Sequence, residues 1–393
     1  MPVQVTDAID WVGVVDWSIR DFHGYTTSRG STYNAYVLKG ERVALLDTVK
    51  VGFADELLGR IERSVGCANV DYVVAHHAEP DHSGALPQVL DACPQAKVVC
   101  DKKCVEILSA YYDTSGWDFD VVATGDTLDL GGRSLSFVEI PMVHWPESMV
   151  SYCPEERVLF SNDAFGQHYA SSCRFDDSGD FPVIMDEAKI YYANIVMLYG
   201  KQIAKALAAL GGLDIEMICP AHGSIWRAHV AEILTAYGEW VTCHAAAKVV
   251  IVYSSMWHST EMMARALAEG ATRDGVTVRL YDIAASGRTV LATEVLDAAV
   301  LAVGSPTLNM TLMPDIAGLL TYLKGLSPTG KSGMAFGSYG WSPAGPKDVN
   351  GYLEEMAFDV LREPLTCKWR PTDEVLAECR EAGAMLADRA ASS

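Results

Sequence analysis

The ten cysteines of this 393-residue chain form no C-x-x-C pair. That spacing builds thiolate metal knots and dithiol redox centres, so neither is expected, and no iron–thiolate module either. Cys100 and Cys104 lie four apart, but one such pair lacks the partners a thiolate metal site needs. Scattered thiols suit a reducing compartment, and the expected location is cytoplasmic. Positive charge is scarce as well. Thirty Lys and Arg stand against 51 Asp and Glu, a net charge of −21. Little is left to neutralise phosphates, which argues against a nucleic-acid partner. No apolar stretch approaches the roughly 18 residues of a membrane-crossing helix. The N-terminus MPVQVTDAID has neither a basic start nor an apolar run, so neither a membrane nor a secretory route is expected.

What remains is an ordinary globular composition, half hydrophobic and 21% charged, in a chain long enough for two cores. Short alternating strands dominate the first 150 residues, for example TYNAYVL, RVALLDT, VDYVVAHH and RSLSFVEI, and helical stretches follow near 187–210 and 227–243. Strands covered by helices suggest an αββα sandwich. After the small, unpatterned HAAAK at 244–248 the rhythm changes. KVVIVY, VTVRLYDI, AAVLAVG and SGMAFG each run into a loop and then a helix or turn, the βαβ cadence of a doubly wound parallel sheet. The expected domains are 1–246 and 247–393.

The first domain concentrates one chemistry. His77-x-Glu79-x-Asp81-His82 follows the apolar VDYVVA, and His144, Asp163 and His222 follow VEIPMV, RVLFSN and MICPA. In extended chain His77, Glu79 and Asp81 project to one side, the turn at 80–82 can bring His82 to a second metal, and His76 has the opposite parity. A lone strand-end His is usually only a hydrogen-bonded residue. Four segments with matching His, Glu and Asp chemistry point to a two-metal centre.

In the second domain YSSMWHSTE joins the strand KVVIVY to an amphipathic helix. Hydroxyls and backbone N–H groups at such a turn cradle an anion, helped by the helix dipole. The glycines of a dinucleotide fingerprint are absent and no Lys or Arg enters the loop, which fits a flavin mononucleotide phosphate. Ser305-Pro306-Thr307-Leu308-Asn309 and Ser338-Tyr339-Gly340-Trp341 follow the next strands at the ends where such sheets bind ligands. Tyr339 or Trp341 can stack on an isoalloxazine, while Gly340 lets backbone reach its polar edge.

The H-x-E-x-D-H pattern with later His, Asp and His resembles the metallo-β-lactamase fold as it occurs in flavodiiron proteins, and the resemblance covers essentially the whole chain. Hydrolases of that fold usually carry His at the second position. Glu79 there adds charge and a hard oxygen donor, which favours iron over four-coordinate zinc. The resemblance implies that His77, Glu79 and His144 bind one iron, that Asp81 and His222 bind the other, and that Asp163 bridges them, with His82 as a further ligand. It also implies FMN held by Ser255, Met256, Trp257, Ser259 and Thr260, as in the flavodoxin phosphate loop, with His258 where flavodoxins commonly have Gly. Ser305, Pro306, Thr307, Asn309, Ser338, Tyr339, Gly340 and Trp341 would complete that site. Asp21-Phe22-His23-Gly24-Tyr25 and Tyr191-Tyr192-Ala193-Asn194 lie where such proteins line the diiron pocket, so His23 and Tyr192 become candidate catalytic groups. The implied activity is reduction of dioxygen to water, of nitric oxide to nitrous oxide, or both. The implied electron donor is rubredoxin, a related iron–sulfur protein or a reduced deazaflavin coenzyme. A head-to-tail homodimer, or a tetramer built from it, would bring one subunit's flavin to the other's irons. The alternative is a dinuclear zinc hydrolase with a regulatory flavodoxin-like domain.

Overall fold

The computed structural model describes residues 1–393. Two units emerge: Met1–Tyr192 with Tyr199–Gly238, and Glu239–Ser393 with the short segment Ala193–Leu198.

Strands buried at every position, such as Met149–Cys153 and Val158–Asn162, need cover on both faces, and the first unit supplies it. A seven-stranded sheet runs in the order Val3–Gln4, Ile9–Trp11, Tyr36–Lys39, Val43–Leu46, Val70–Val74, Lys97–Cys100, Phe119–Val121. It is antiparallel at its first edge and parallel from Val43–Leu46 onward. A five-stranded sheet follows: Thr127–Asp129, Ser134–Glu139, Met149–Cys153, Val158–Asn162, Met217–Pro220. Alternation assigns each side chain its layer. Leu45, Val73 and Val98 pack with Leu57, Ile61, Leu86 and Leu108 of the helices Ala54–Ser64, Leu86–Ala92 and Lys102–Tyr111. Their neighbours Ala44, Leu46, Val74 and Val99 join Phe137, Met149 and Phe160 in a second core between the sheets. Val150 and Leu159, of opposite parity on the second sheet, are buried too. This is the helix–sheet–sheet–helix sandwich.

One buried acid in this unit carries a pH signature. Glu187, on the helix Phe181–Tyr191, meets Arg29 at 3.0 Å (Oε1 to Nε). Burial nevertheless pushes its carboxyl up from 4.5 to about 7, against the pull of Arg29. A folded-state value above the unfolded one means that the protonated form favours the fold. That contribution is complete below about pH 4.5 and is lost as pH rises through 7. Glu187→Gln is therefore expected to gain on the order of 1–3 kcal/mol relative to wild type between pH 5 and pH 8. Parallel denaturation curves for the two proteins across that range would contradict it.

The second unit is a six-stranded, wholly parallel sheet. Ala246–Tyr253 lies between Thr277–Asp282 and Ala298–Gly304; Ser332–Tyr339 comes next and pairs with both Asp359–Val360 and Leu365–Lys368. This 2-1-3-4-5 arrangement is flavodoxin-like and places ligands beyond the carboxyl ends of its strands. Val249, Ile251 and Phe336 pack against Met263 and Leu267 of the helix Ser259–Ala271 and Leu386 of the helix Asp373–Ala391. No helix of the chain is long and apolar enough to cross a membrane.

Candidate functional site

Each chemistry-bearing segment of the first unit begins where a strand ends. His77 and Glu79 follow Val70–Val74, Asp163 follows Val158–Asn162, and His222 follows Met217–Pro220. Their side chains converge, with His144, into two adjoining groups: His77, Glu79, His144 and Asp163, and Asp81, His82 and His222. The same-side projection expected of extended chain holds for His77 and Glu79 and fails for Asp81. Pro80 opens a short helix, Pro80–Ser83, whose turn carries Asp81 and His82 into the second group. Gly84 lets that helix lie close, since a Cβ there would stand 2.3 Å from the Pro80 carbonyl oxygen and 2.8 Å from the Val51 nitrogen.

Asp163 joins the groups. Its Oδ2 lies 3.5 Å from His77 Nε2 and 3.3 Å from His144 Nε2, while its Oδ1 lies 3.1 Å from His82 Nε2 and 3.4 Å from His222 Nε2. Glu79 Oε2 stands 3.1 Å from His77 Nε2 and 3.3 Å from His144 Nε2, and Asp81 Oδ2 is 3.3 Å from His222 Nε2. Two ligands about 2.1 Å from a shared ion sit about 3.0–3.4 Å apart at ordinary coordination angles. The buried atoms Asp81 Oδ1, His82 Nε2 and both Asp163 carboxylate oxygens lack hydrogen-bond partners. Unsatisfied polar atoms packed this deeply are rare; cations between them would satisfy all four. The donor set, imidazole with carboxylate oxygen and no thiolate, fits iron.

Protonation is set by the same crowding. Burial opposes charge on His144 and His222, yet Asp163 with Glu79 lifts the first to about 9, and Asp163 with Asp81 lifts the second to about 10. Burial likewise opposes ionisation of Asp163, and the imidazoles of His82, His144 and His222 overcome it, holding its carboxyl well below the usual range. Metal ions would take the place of those imidazole protons.

In the second unit a cavity of about 610 Å³ opens over four strand ends. Met256, Trp257, Ser259, Pro306, Thr307, Asn309, Ser338, Tyr339, Gly340 and Trp341 line it, joined by Leu308, Met310, Ser342, Trp369 and Arg370. Ser255 keeps its Oγ buried without a partner, as a waiting phosphate contact would. Thr260 and Ser305 stand behind the wall and tie the loops together. Thr260 Oγ1 lies 2.9 Å from Ser338 Oγ and accepts the Ser338 N–H, and Ser305 Oγ accepts the Met313 N–H. His258 adopts the left-handed conformation itself, at φ 65°, so the turn keeps its shape without glycine.

A model of the ODP family beta lactamase matches residues 31–223, and one of flavodoxin matches 251–383. A nitric oxide reductase of Moorella thermoacetica is 44% identical over 99% of each chain. The anaerobic nitric oxide reductase flavorubredoxin of Aeromonas hydrophila is 38% identical over 98% of this chain and 79% of its own. Among solved structures, the flavodiiron protein of Giardia intestinalis superposes with TM-score 0.97 at 38% identity, covering 100% of this chain and 97% of the other. The rubredoxin oxygen:oxidoreductase of Desulfovibrio gigas does so with TM-score 0.97 at 39% identity, covering 100% and 99%. The chain belongs to the flavodiiron proteins. It is an oxidoreductase, with FMN in its flavodoxin half and a non-haem diiron centre in the other.

Around the metal groups of this flavodiiron protein the structure also places residues outside the ligand motif, among them the candidate catalytic His23. His23, at the tip of the hairpin Asp21–Phe22 and Tyr25–Thr26, puts Nε2 2.6 Å from Glu79 Oε1. The tyrosine ring beside the ligands is Tyr191, 5.9 Å from His222, whereas Tyr192 packs edge-on against Tyr237 at 5.1 Å. One residue along a helix turns a side chain through about 100°, a distinction that a Tyr-Tyr pair hides from periodicity.

His168 ends no apolar strand, so nothing local in the sequence marks it. Ser31 donates to the Thr32 carbonyl, so its oxygen accepts His168 Nδ1–H at 2.7 Å, and His168 Nε2 accepts the Tyr25 hydroxyl proton at 2.5 Å. Burial, with His222 and His82 nearby, pushes the His168 imidazole well down and keeps it neutral. The Thr32 carbonyl in turn accepts His222 Nδ1–H at 2.6 Å. His76 stays out of the metal groups, held by Asp47 at 2.9 Å and Ser151 at 2.8 Å.

Proposed function

We propose that this chain reduces dioxygen to water, nitric oxide to nitrous oxide, or both, with residues 1–246 holding the diiron centre and 247–393 the FMN. The observation that carries the reading is Asp163, whose two oxygens each face a separate ligand group. In this reading His77, Glu79 and His144 would hold one iron, Asp81, His82 and His222 would hold the other, and Asp163 would serve both. When loaded, the irons supply two electrons and reduced FMN two more, which balances one dioxygen with four protons to two waters. Two nitric oxide molecules need only two electrons and two protons to give nitrous oxide and water.

The chain's own groups orient and protonate. His23 carries a raised imidazole pKa, caused first by its hydrogen bond to Glu79. Its ring is largely exposed, so it can reload from solvent the proton it holds on Nε2. Phe22 stands between His23 and His168, with ring centroids at 4.4 and 4.8 Å, and excludes water from that side. Glu79 in the first group argues against a zinc hydrolase, because its added anionic oxygen stabilises a higher oxidation state.

The donor in this reading would be rubredoxin, a related iron–sulfur protein or a reduced deazaflavin coenzyme in the cytoplasm, and the assembly a head-to-tail homodimer. Anaerobic stopped-flow mixing of the reduced, iron-loaded protein with each gas tests this reading. The flavin absorbance should return within the first turnovers for at least one gas, in a protein carrying two irons per chain. Zinc in place of iron, or reoxidation no faster than that of free FMN, would sink it. Steady-state turnover that survives dilution to monomer would remove the homodimer alone.

A further inference from the structure

Three of the imidazoles in the two metal groups differ at the nitrogen turned away from the centre. His77 Nδ1–H donates to Glu147 Oε1 at 2.7 Å. His222 Nδ1–H donates to a neutral backbone carbonyl, and His82 Nδ1 is buried with no partner. A carboxylate therefore backs a ligand of the first group, and nothing charged backs these two ligands of the second.

Glu147 is placed for that purpose. Its side chain is fully buried, as is that of His77. The same Oε1 accepts the backbone N–H of Ala78 at 3.1 Å, so two consecutive residues of the ligand segment grip one oxygen. The other oxygen, Oε2, has no partner. A buried carboxylate with one oxygen left unsatisfied costs stability, and a fold seeking only stability would have little use for it. Glu147 also lies three residues beyond His144, in a turn closed by the Met142 N–H to the Trp145 carbonyl and the Trp145 N–H to Ser148 Oγ. It ties the His77 segment to the His144 segment, two ligands of the same group. The Trp145 ring meets the His77 ring edge-on at 5.0 Å and blocks its rotation.

We propose that Glu147 is a positioning residue that fixes His77 as an Nε2 ligand and makes the two irons electronically unequal, the ion of the first group being the richer in electron density. A carboxylate on the far nitrogen makes an imidazole a stronger donor, and such partners govern metal affinity about 10–100-fold. The inference rests on the ligand groups assigned above.

The test is Mössbauer spectroscopy of 57Fe-loaded, fully reduced protein, with iron content and circular dichroism measured on the same samples. Wild type should give two distinguishable ferrous doublets. Glu147→Gln keeps the shape and an acceptor oxygen but removes the charge. It should displace one doublet and leave the other, or lose one iron of the two, and metal competition should show affinity at that site weakened about 10–100-fold. A folded Glu147→Gln protein with two irons and both doublets unchanged overturns the proposal, as does equal disturbance of both doublets. Should that variant fail to fold, Glu147→Asp, which withdraws the carboxylate by one methylene, is judged by the same criterion. A wild-type protein that gives no paired ferrous signal would instead overturn the diiron assignment itself, so the two failures are distinct.

Discussion

Asp163→Asn is expected to strip the protein of most of its iron and to lower turnover at least about 100-fold, more than the loss of an outer-shell partner costs. The substitution keeps the volume but removes one anionic oxygen and a full negative charge from the point where both ligand groups meet. Oδ1 stands within 3.4 Å of His82 and His222 Nε2, and Oδ2 within 3.5 Å of His77 and His144 Nε2, so neither ion's ligand set would be left whole. Four clustered imidazoles would then face two carboxylates instead of three, which raises the cost of bringing further cations among them. Metal analysis after anaerobic reconstitution reads the loss directly, and FMN content serves as the internal control because the flavin occupies the other unit. Two irons per chain and a wild-type rate in this variant would show that Asp163 bridges nothing.

Thr260→Val is expected to loosen FMN about 10–100-fold while leaving both irons in place. Thr260 does not line the cavity; it accepts the Ser338 N–H and meets the Ser338 hydroxyl at 2.9 Å, and so fixes the loop that carries Tyr339 and Gly340. Valine fills the same space and abandons two buried polar groups of Ser338. Leaving such groups unsatisfied costs about 1–3 kcal/mol, and 1.4 kcal/mol is a factor of ten in binding. Fluorescence titration of the flavin-free protein with FMN reads the change. A single-turnover assay of prereduced irons with nitric oxide should stay near wild type, since two electrons suffice there. Unchanged FMN affinity would mean that the Ser338 loop holds its shape without Thr260. Tight FMN with iron lost would overturn the assignment of Thr260 to the flavin site.

Much of this protein is legible in its sequence. The change of rhythm near residue 246, from mixed short strands to regular strand–helix alternation, reflects sheets with antiparallel pairs giving way to one whose strands are all parallel and all need crossovers. The fold follows from that. The strand-end His, Glu and Asp residues were legible too, because a strand that stops being apolar and turns acidic or imidazole-rich has left the core for a site. The loops that line the cavity of the second unit are legible by the same logic, at carboxyl ends of parallel strands. Trp369 and Arg370 escaped it although they follow the strand Leu365–Lys368, since that strand is too short and mixed to stand out.

Other features were not written locally. Pro80 is a turn signal in sequence, but only the packing of its helix against the Val51–Phe53 turn decides that Asp81 faces the second group. The choice of Tyr191 over Tyr192 is a matter of helix phase against a particular neighbour. Glu147 carries no motif at all, and its meaning comes from an oxygen 2.7 Å from a nitrogen seventy positions earlier. Sequence by itself determined which chemistry gathers here, because residue type and strand periodicity are properties of short segments. Tertiary structure alone decided how the ligands divide between two ions and which of the histidines whose far nitrogens are resolved is backed by charge, because those are distances between segments that the chain brings together only when its two sheets close on a common core.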